Sequence, residues 1–313
     1  ALRAFASGLR NIVLMGNIAH LTSLAQKCGL DIRFSPYDSN APDGACPVVE
    51  MDWAVDIIPG TPDSRNAPAI IEAISRAVAL TKDNVFSAVV TNPIAKSVLY
   101  ETGFTYPGHT EFLAALDSDN ATPVMMLAND HLKIVPLTIH IPLCEVADHI
   151  SDETITKTLT IIDEDLKYRF GLRQPRIAVA GLNPHAGENG HIGSFEHDRL
   201  APLLIALQDK GFAITGPHSA DSLFHEAARE QYDVVLAMYH DQALIPVKTL
   251  DFHNSVNVTL GLSYIRTSPD HGTAFDIAPQ YKARPDSLIA AVTMAGKMAI
   301  QTAGRQRSSL VGQ

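Results

Sequence analysis

Short runs rich in Val, Ile and Leu alternate with segments of helical period along this chain, and that alternation leaves few folds open. A strand buried on both faces reads as a nearly continuous apolar run, and parallel neighbours need a crossover connection, usually a helix. The strand-like runs are Ile12–Met15, Phe86–Thr91, Val124–Leu127, Ile134–His140, Ile177–Leu182, Val234–His240 and Val256–Leu262. They predict an α/β fold with a doubly wound, mostly parallel sheet. Helices are expected over Pro68–Leu80, Leu200–Gln208 and Leu288–Ile300. The best-marked helix follows Ser151, a candidate N-cap, with Ile155, Leu159, Ile162, Leu166 and Phe170 recurring along one face. Asp163, Glu164, Asp165 and Lys167 fall mostly elsewhere and read as a solvated face.

A chain of 313 residues that is 46% hydrophobic has room for two domains or one large unit. Its formal charge of -10 and its lack of any Lys/Arg-rich run argue against nucleic acid or an anionic membrane as a partner, since both need clustered positive charge. A small anion needs only a local basic pocket. No apolar run approaches the roughly 18 to 20 residues of a membrane span, and no basic-then-apolar signal segment opens the chain. Cys28, Cys46 and Cys144 form neither a CxxC pair nor a disulfide framework, so a reducing, cytoplasmic setting is expected. Pro36–Pro47 and Pro59–Pro68 read as loops rather than interdomain tethers. The chain opens at Ala1, and Ala1–Gly8 reads as the end of a helix entering the strand-like Asn11–Gly16, so a preceding segment is expected.

Three histidines share one topological position. His140 ends KIVPLTIH, His185 closely follows the strand in RIAVAGLNPH, and His240 ends VVLAMYH. Ligands of open parallel sheets bind outside the carboxyl ends of strands, so the three imidazoles would converge on a catalytic divalent ion with an open coordination position. With 13 histidines in the chain, some also fall near strand ends by chance and merely hydrogen-bond a loop, and position alone leaves both readings standing.

The segment NPHAGENGHIG brings Gly187, Gly190 and Gly193 between a strand and a helical pattern, where backbone could approach a cofactor or anion. Its spacing is GxxGxxG, so the dinucleotide fingerprint GxGxxG fails, and a plain loop feeding a helix is the alternative. In PGHTEFL, His109 and Thr110 precede a predicted helix, where free N–H groups favour an anion and Thr110 could equally act as a cap. Lys248, Asn257 and Arg266 punctuate the apolar VKTLDFHNSVNVTLGLSYIRTS, and their partners would be a substrate phosphate or carboxylate, or a structural aspartate. The string SPDHGTAFDIA packs two aspartates, a histidine and a glycine into a turn before a helix.

Taken together, PGHTEFL, GLNPHAGENGHIG, AMYHDQ, VNVTLGL and IRTSPDHGTAFDIA, in this order and spacing, resemble the 4-hydroxythreonine-4-phosphate dehydrogenase family across essentially the whole chain. The resemblance implies two α/β/α domains of isocitrate/isopropylmalate dehydrogenase type with a cleft between them. Residues 1–112 plus 258–313 would form the NAD-binding side and 113–257 the metal and dimerisation side. It implies a homodimer that shares its active site between subunits. His140, His185 and His240 match the family's metal ligands, for Zn²⁺ first, with Mg²⁺ and Co²⁺ as alternatives. His109, Thr110, Lys248, Asn257 and Arg266 match its substrate-binding positions. HGTAFDIA is similar to the HGSAPDIA-type loop of isopropylmalate and isocitrate dehydrogenases, which bind NAD without GxGxxG. This puts His271, Gly272, Thr273 and Asp276, with Gly187 and Gly190, on the cofactor side, the cofactor being NAD with NADP as the alternative.

The implied reaction oxidises the C3 hydroxyl of 4-phosphooxy-L-threonine, and the resulting 2-amino-3-oxo acid loses CO₂ to give 3-amino-2-oxopropyl phosphate, within pyridoxal phosphate synthesis. His109 and Asp241 are the candidates for the general base, Asp241 equally for a partner that orients an imidazole. Three departures from the family pattern stand out. The GDPAGIGPE-like opening is absent, Phe195–Glu196 stands where relatives carry Glu-Glu, and Pro279 replaces a common Gly after DIA. The competing readings are a paralogous dehydrogenase of 4-phospho-threonate, phospho-erythronate or a dihydrodiol carboxylate, a metallohydrolase using metal-bound water, and a binding protein without activity.

Overall fold

The computed structural model describes residues 1–311 except 39–41, 107 and 119–120, with side chains described to residue 305. Pro107 of PGHTEFL and the middle of the Pro36–Pro47 loop lie outside the described residues. The chain divides into two compact units, Ala1–Ala121 with Arg266–Ala295, and Thr122–Ile265 with Gly296–Gln313. It passes from one to the other three times.

In the first unit, β1 (Leu14–Gly16), β2 (Phe34–Pro36) and β3 (Cys46–Glu50) form a parallel sheet in the order β1-β3-β2. A parallel pair joins β4 (Val89–Val90) to Arg266–Pro269, which is β11 in chain order, with Val89 opposite Arg266. The helix Ala67–Lys82 buries Ile74 and Val78 in this unit.

The second unit is built on β5 (Val124–Ala128), β6 (Lys133–Thr138), β7 (Ile177–Ala180), β8 (Ile214–His218), β9 (Val234–Tyr239) and β10 (Val256–Leu260), ordered β10-β5-β6-β9-β7-β8. The stretch β6-β9-β7-β8 is parallel throughout. Its centre has the composition that burial on both faces demands, since Ile177–Ala180 and Val234–Met238 are at most 1% exposed. The strand β5 is antiparallel to both β6 and β10, the antiparallel part of a sheet expected to be mostly parallel. The cause is local: the Asn129 Oδ1 accepts from the His131 and Leu132 N–H groups, closing a tight turn too short for any crossover.

Other expectations shift at their edges. The run Ile12–Met15 pairs as Leu14–Gly16, and Phe86–Thr91 shortens to Val89–Val90. The strands β2, β3, β8 and β11 carry too much Pro, Ser, Gly or charge to read as apolar runs. Among the described residues, no helix is long and apolar enough to cross a membrane.

The helix expected after Ser151 spans Asp152–Phe170 and starts with a capping box, in which Ser151 Oγ accepts from the Thr154 N–H and Thr154 Oγ1 from the Ser151 N–H. Ile155, Leu159, Ile162 and Leu166 are fully buried, as their spacing requires. The solvated-face reading fails for Asp163 and Asp165, which are 8% and 9% exposed. Asp165 pairs with Arg169 at 3.0 Å and accepts from the Gly261 N–H at 2.7 Å. Burial still raises the Asp165 carboxyl above its ordinary range, outweighing the downward pull of Arg169 and the Gly261 N–H. Arg169 also donates to the Leu262 carbonyl, so the pair buttresses the turn that leaves β10. Gly261 is obligatory there, with φ +76° and the Thr122 carbonyl oxygen standing where a Cβ would go.

Candidate active site

The strands β6 and β9 are parallel neighbours, and Thr138 lies opposite Tyr239 at their carboxyl ends. His140 follows β6 at φ 54°, and His240 begins the helix His240–Leu250 directly after β9. Adjacency of the strands therefore brings together two rings distant in sequence, with centroids 5.9 Å apart. The rings border an open pocket of about 320 Å³ walled by Ile139, Ile141, Leu143 and Val146. Asp241 Oδ1 sits 2.7 Å from His240 Nδ1, which fixes that ring and leaves Nε2 as its outward nitrogen.

His185 follows β7 on the loop Asn183–Gly193 and is exposed. The structure does not bring it to the other two. Among the described residues no group of three His, Cys, Asp or Glu is placed to hold a metal. Imidazoles have the ligand chemistry of a divalent-cation site, and the two that meet here are His140 and His240.

Two residues that the sequence reading passed over hold these loops. Gln242 accepts from the Met238 N–H at 2.7 Å and donates to the Gly181 carbonyl at 2.9 Å, tying the end of β9 to the end of β7. Glu196, noted only as half of an unusual Phe-Glu pair, is 1% exposed and accepts from the Asn183 N–H and Nδ2. Its spacing in AMYHDQ could have pointed to Gln242, while nothing in the sequence marks Glu196 as buried.

The anchor residues are divided between the units. His109, Thr110 and Arg266 lie in the first, Lys248 and Asn257 in the second. His109 opens the helix His109–Asp117, whose N-cap is Gly108 without any side-chain cap bond, so the cap reading of Thr110 is overturned. Burial, then Arg266, then Lys96 push the His109 imidazole down to about 3, and its Nε2 is buried without a hydrogen-bond partner. Arg266 is 4% exposed, and its Nη2 donates to Thr91 Oγ1 at 2.8 Å. On β10, Asn257 Oδ1 is likewise buried without a hydrogen-bond partner. Lys248 lies on the helix after His240, with Nζ 5.8 Å from the Phe252 ring centre.

The suppressed basicity of His109 has a measurable consequence. Its folded value lies below its ordinary value of 6.5, so between those values the unfolded chain binds more protons and stability falls as pH falls. The contribution is complete above 6.5 and is lost progressively toward about 3. His109→Gln should therefore unfold less steeply than the parent between those values, as read from denaturant midpoints. Parallel curves would contradict a neutral, buried His109.

Of the cofactor-side residues, His271, Gly272 and Asp276 are exposed on the segment that follows β11. His271 Nδ1 lies 2.9 Å from the Gly272 carbonyl, and a Cβ on Gly272 would meet open space. Thr273 is half-buried beside them. In the second unit Gly190 is equally open, whereas Gly187 is buried against Gly193 and Glu196 and owes its identity to packing within its own loop. Pro279, the replacement after DIA, fits over Gly60, where an added Cβ would stand 2.8 Å from its Cγ.

Comparison with known proteins agrees with this architecture. The family model described as pyridoxal phosphate biosynthetic protein PdxA matches residues 9–295. A 4-hydroxythreonine-4-phosphate dehydrogenase of Methylorubrum extorquens is 49% identical over 305 residues, covering 93% of this chain and 86% of that protein. The crystal structure of a 4-hydroxythreonine-4-phosphate dehydrogenase from Klebsiella pneumoniae superposes with a TM-score of 0.82 at 36% identity, covering 92% of this chain and 90% of that one. A terephthalate 1,2-cis-dihydrodiol dehydrogenase from Burkholderia xenovorans has the same fold, with a TM-score of 0.61 at 24% identity, covering 92% of this chain and 98% of that one.

Proposed function

This chain belongs to the pyridoxal phosphate biosynthetic protein PdxA family, and on that premise we propose that it oxidises 4-phosphooxy-L-threonine at its C3 hydroxyl. Hydride leaves C3, the hydroxyl proton passes to a base, and the 2-amino-3-oxo acid that forms loses CO₂ to give 3-amino-2-oxopropyl phosphate. NAD⁺, with NADP⁺ as the alternative, would accept the hydride beside His271, Gly272, Thr273 and Asp276. A divalent ion, Zn²⁺ before Mg²⁺ or Co²⁺, would act as a Lewis acid that makes the hydroxyl more acidic. His140, His185 and His240 would hold it, and a second copy of the chain would complete the set that one chain leaves short. Three free thiols suit a reducing cytoplasm.

The chain's own residues have separable tasks in this scheme. Arg266 and Lys248 would clamp the substrate's anionic groups, using binding energy from parts that do not react to orient the C–H bond. Thr110 and Asn257 would add hydrogen bonds. Asp241 fixes the His240 ring. His109, held neutral by burial and then by the charges of Arg266 and Lys96, would be the proton acceptor, an anionic substrate beside it offsetting those two charges.

The observation that carries this reading is the meeting of the His140 and His240 rings at the ends of neighbouring parallel strands, in a chain whose family match spans both units. The test follows NADH absorbance with 4-phosphooxy-L-threonine before and after chelation, returning Zn²⁺, Mg²⁺ and Co²⁺ singly. Turnover should vanish on chelation and return with one of these ions. No NAD⁺ or NADP⁺ reduction under any metal, or faster turnover of 4-phospho-threonate, phospho-erythronate or a dihydrodiol carboxylate, would overturn the substrate assignment.

A further inference from the structure

The loop that carries His185 follows a path that residues with a Cβ resist. His185 (φ 53°), Ala186 (50°), Gly187 (79°), Glu188 (42°), Asn189 (55°) and Gly190 (92°) succeed one another at positive φ. Left-handed backbone is sterically costly for all but glycine, so a run of this kind persists only where its surroundings dictate it.

Those surroundings centre on Glu196. Its Oε1 accepts from the Asn183 N–H at 2.7 Å and its Oε2 from Asn183 Nδ2 at 3.0 Å, two residues before His185. A carboxylate that is 1% exposed is expensive to bury unless its oxygens are paired, and here both are. Three glycines make room for the clamp. An added Cβ on Gly187 would lie 2.8 Å from Glu196 Oε2, one on Gly181 would lie 3.1 Å from Oε1, and one on Gly193 would lie 2.6 Å from Asn183 Nδ2. His185 itself is exposed, so the path of its backbone sets where its Cα–Cβ bond leaves the loop, and Glu196 holds that path through Asn183.

We propose that Glu196 is the positioning residue for His185: through Asn183 it holds the left-handed turn that aims this imidazole at the divalent ion. The proposal rests on His185 being a metal ligand, as set out above. Glu196 touches no substrate and acts only through the loop. Its effect should therefore fall on metal affinity and ligand geometry before it falls on the fold.

The test measures Zn²⁺ affinity by equilibrium dialysis and the visible absorption of the Co²⁺ form, together with melting of the metal-free protein. Glu196→Gln replaces one acceptor oxygen with a donor that faces Asn183. Zn²⁺ affinity should fall on the order of 10- to 100-fold and the Co²⁺ band should change, while the metal-free protein should still melt in one cooperative transition, at a somewhat lower temperature. Glu196→Asp, which restores a carboxylate, should recover part of the affinity. Asn183→Ala leaves the backbone contact in place and should weaken binding in the same direction, so it carries the test if Glu196→Gln does not fold. Parent-like affinity and an unchanged Co²⁺ band in folded Asn183→Ala and Glu196→Gln would overturn the positioning role alone. A parent protein that binds no more metal than His185→Ala would overturn the metal reading and this proposal with it.

Discussion

Replacing His140 with alanine should lower turnover roughly 1,000-fold while leaving the fold intact. The ring is exposed, so its removal opens no cavity in the core. What is lost is one of the two imidazoles that meet at the ends of β6 and β9. A bound divalent ion contributes several kcal/mol to stabilising developing negative charge, and each 1.36 kcal/mol is tenfold in rate, which sets the expected size at about three decades. His240→Ala should match it. The double variant should be little worse than either single one, because groups that act as a unit lose their effect together. The measurement is kcat after chelation and defined return of metal, with circular dichroism as the control for folding. Activity within tenfold of the parent would remove these rings from the chemistry.

Arg266→Met should cost on the order of 100- to 1,000-fold in kcat/KM, carried mostly by KM. The guanidinium is 4% exposed, and a buried cation is far from its preferred hydration, so an arriving anion finds a partner already stripped of water. Hydrogen bonds between charged groups in such a setting are worth roughly 2 to 5 kcal/mol when one side is removed. Met preserves much of the shape and none of the charge. Arg266→Lys should recover little, because an ammonium cannot donate to Thr91 Oγ1 and present a flat fork to an anion at once. Inorganic phosphate should raise the melting temperature of the parent and not that of the methionine variant. An unchanged KM would place Arg266 in the architecture alone.

These expectations draw on two kinds of information. The parallel core was legible because its chemistry is redundant: Ile177–Ala180 and Val234–Met238 are apolar at every position, as a strand covered on both faces must be. The helix Asp152–Phe170 was legible for a similar reason, with period, cap and Gly171 stop all written locally. Asp165 was misread as solvated, since its partners are Arg169 and a backbone N–H nearly a hundred residues on in the chain. The antiparallel hairpin β5–β6 was not legible, because Val124–Leu127 is as apolar as a central parallel strand and only the Asn129 turn sets its direction. The strand β11 escaped notice because RTSP carries no apolar signature, although Arg266 begins it.

By itself the sequence determined the α/β class, the strands of the core and the identity of the chemically able residues, because these depend on local composition and period. Only the tertiary structure decided which of those residues meet. His140 finds His240 because β6 lies beside β9, His185 stands apart on a left-handed turn closed by Glu196, and the anion anchors divide between two units. Strand order and the burial of a single carboxylate arise from contacts between distant segments, and no window of neighbouring residues contains them.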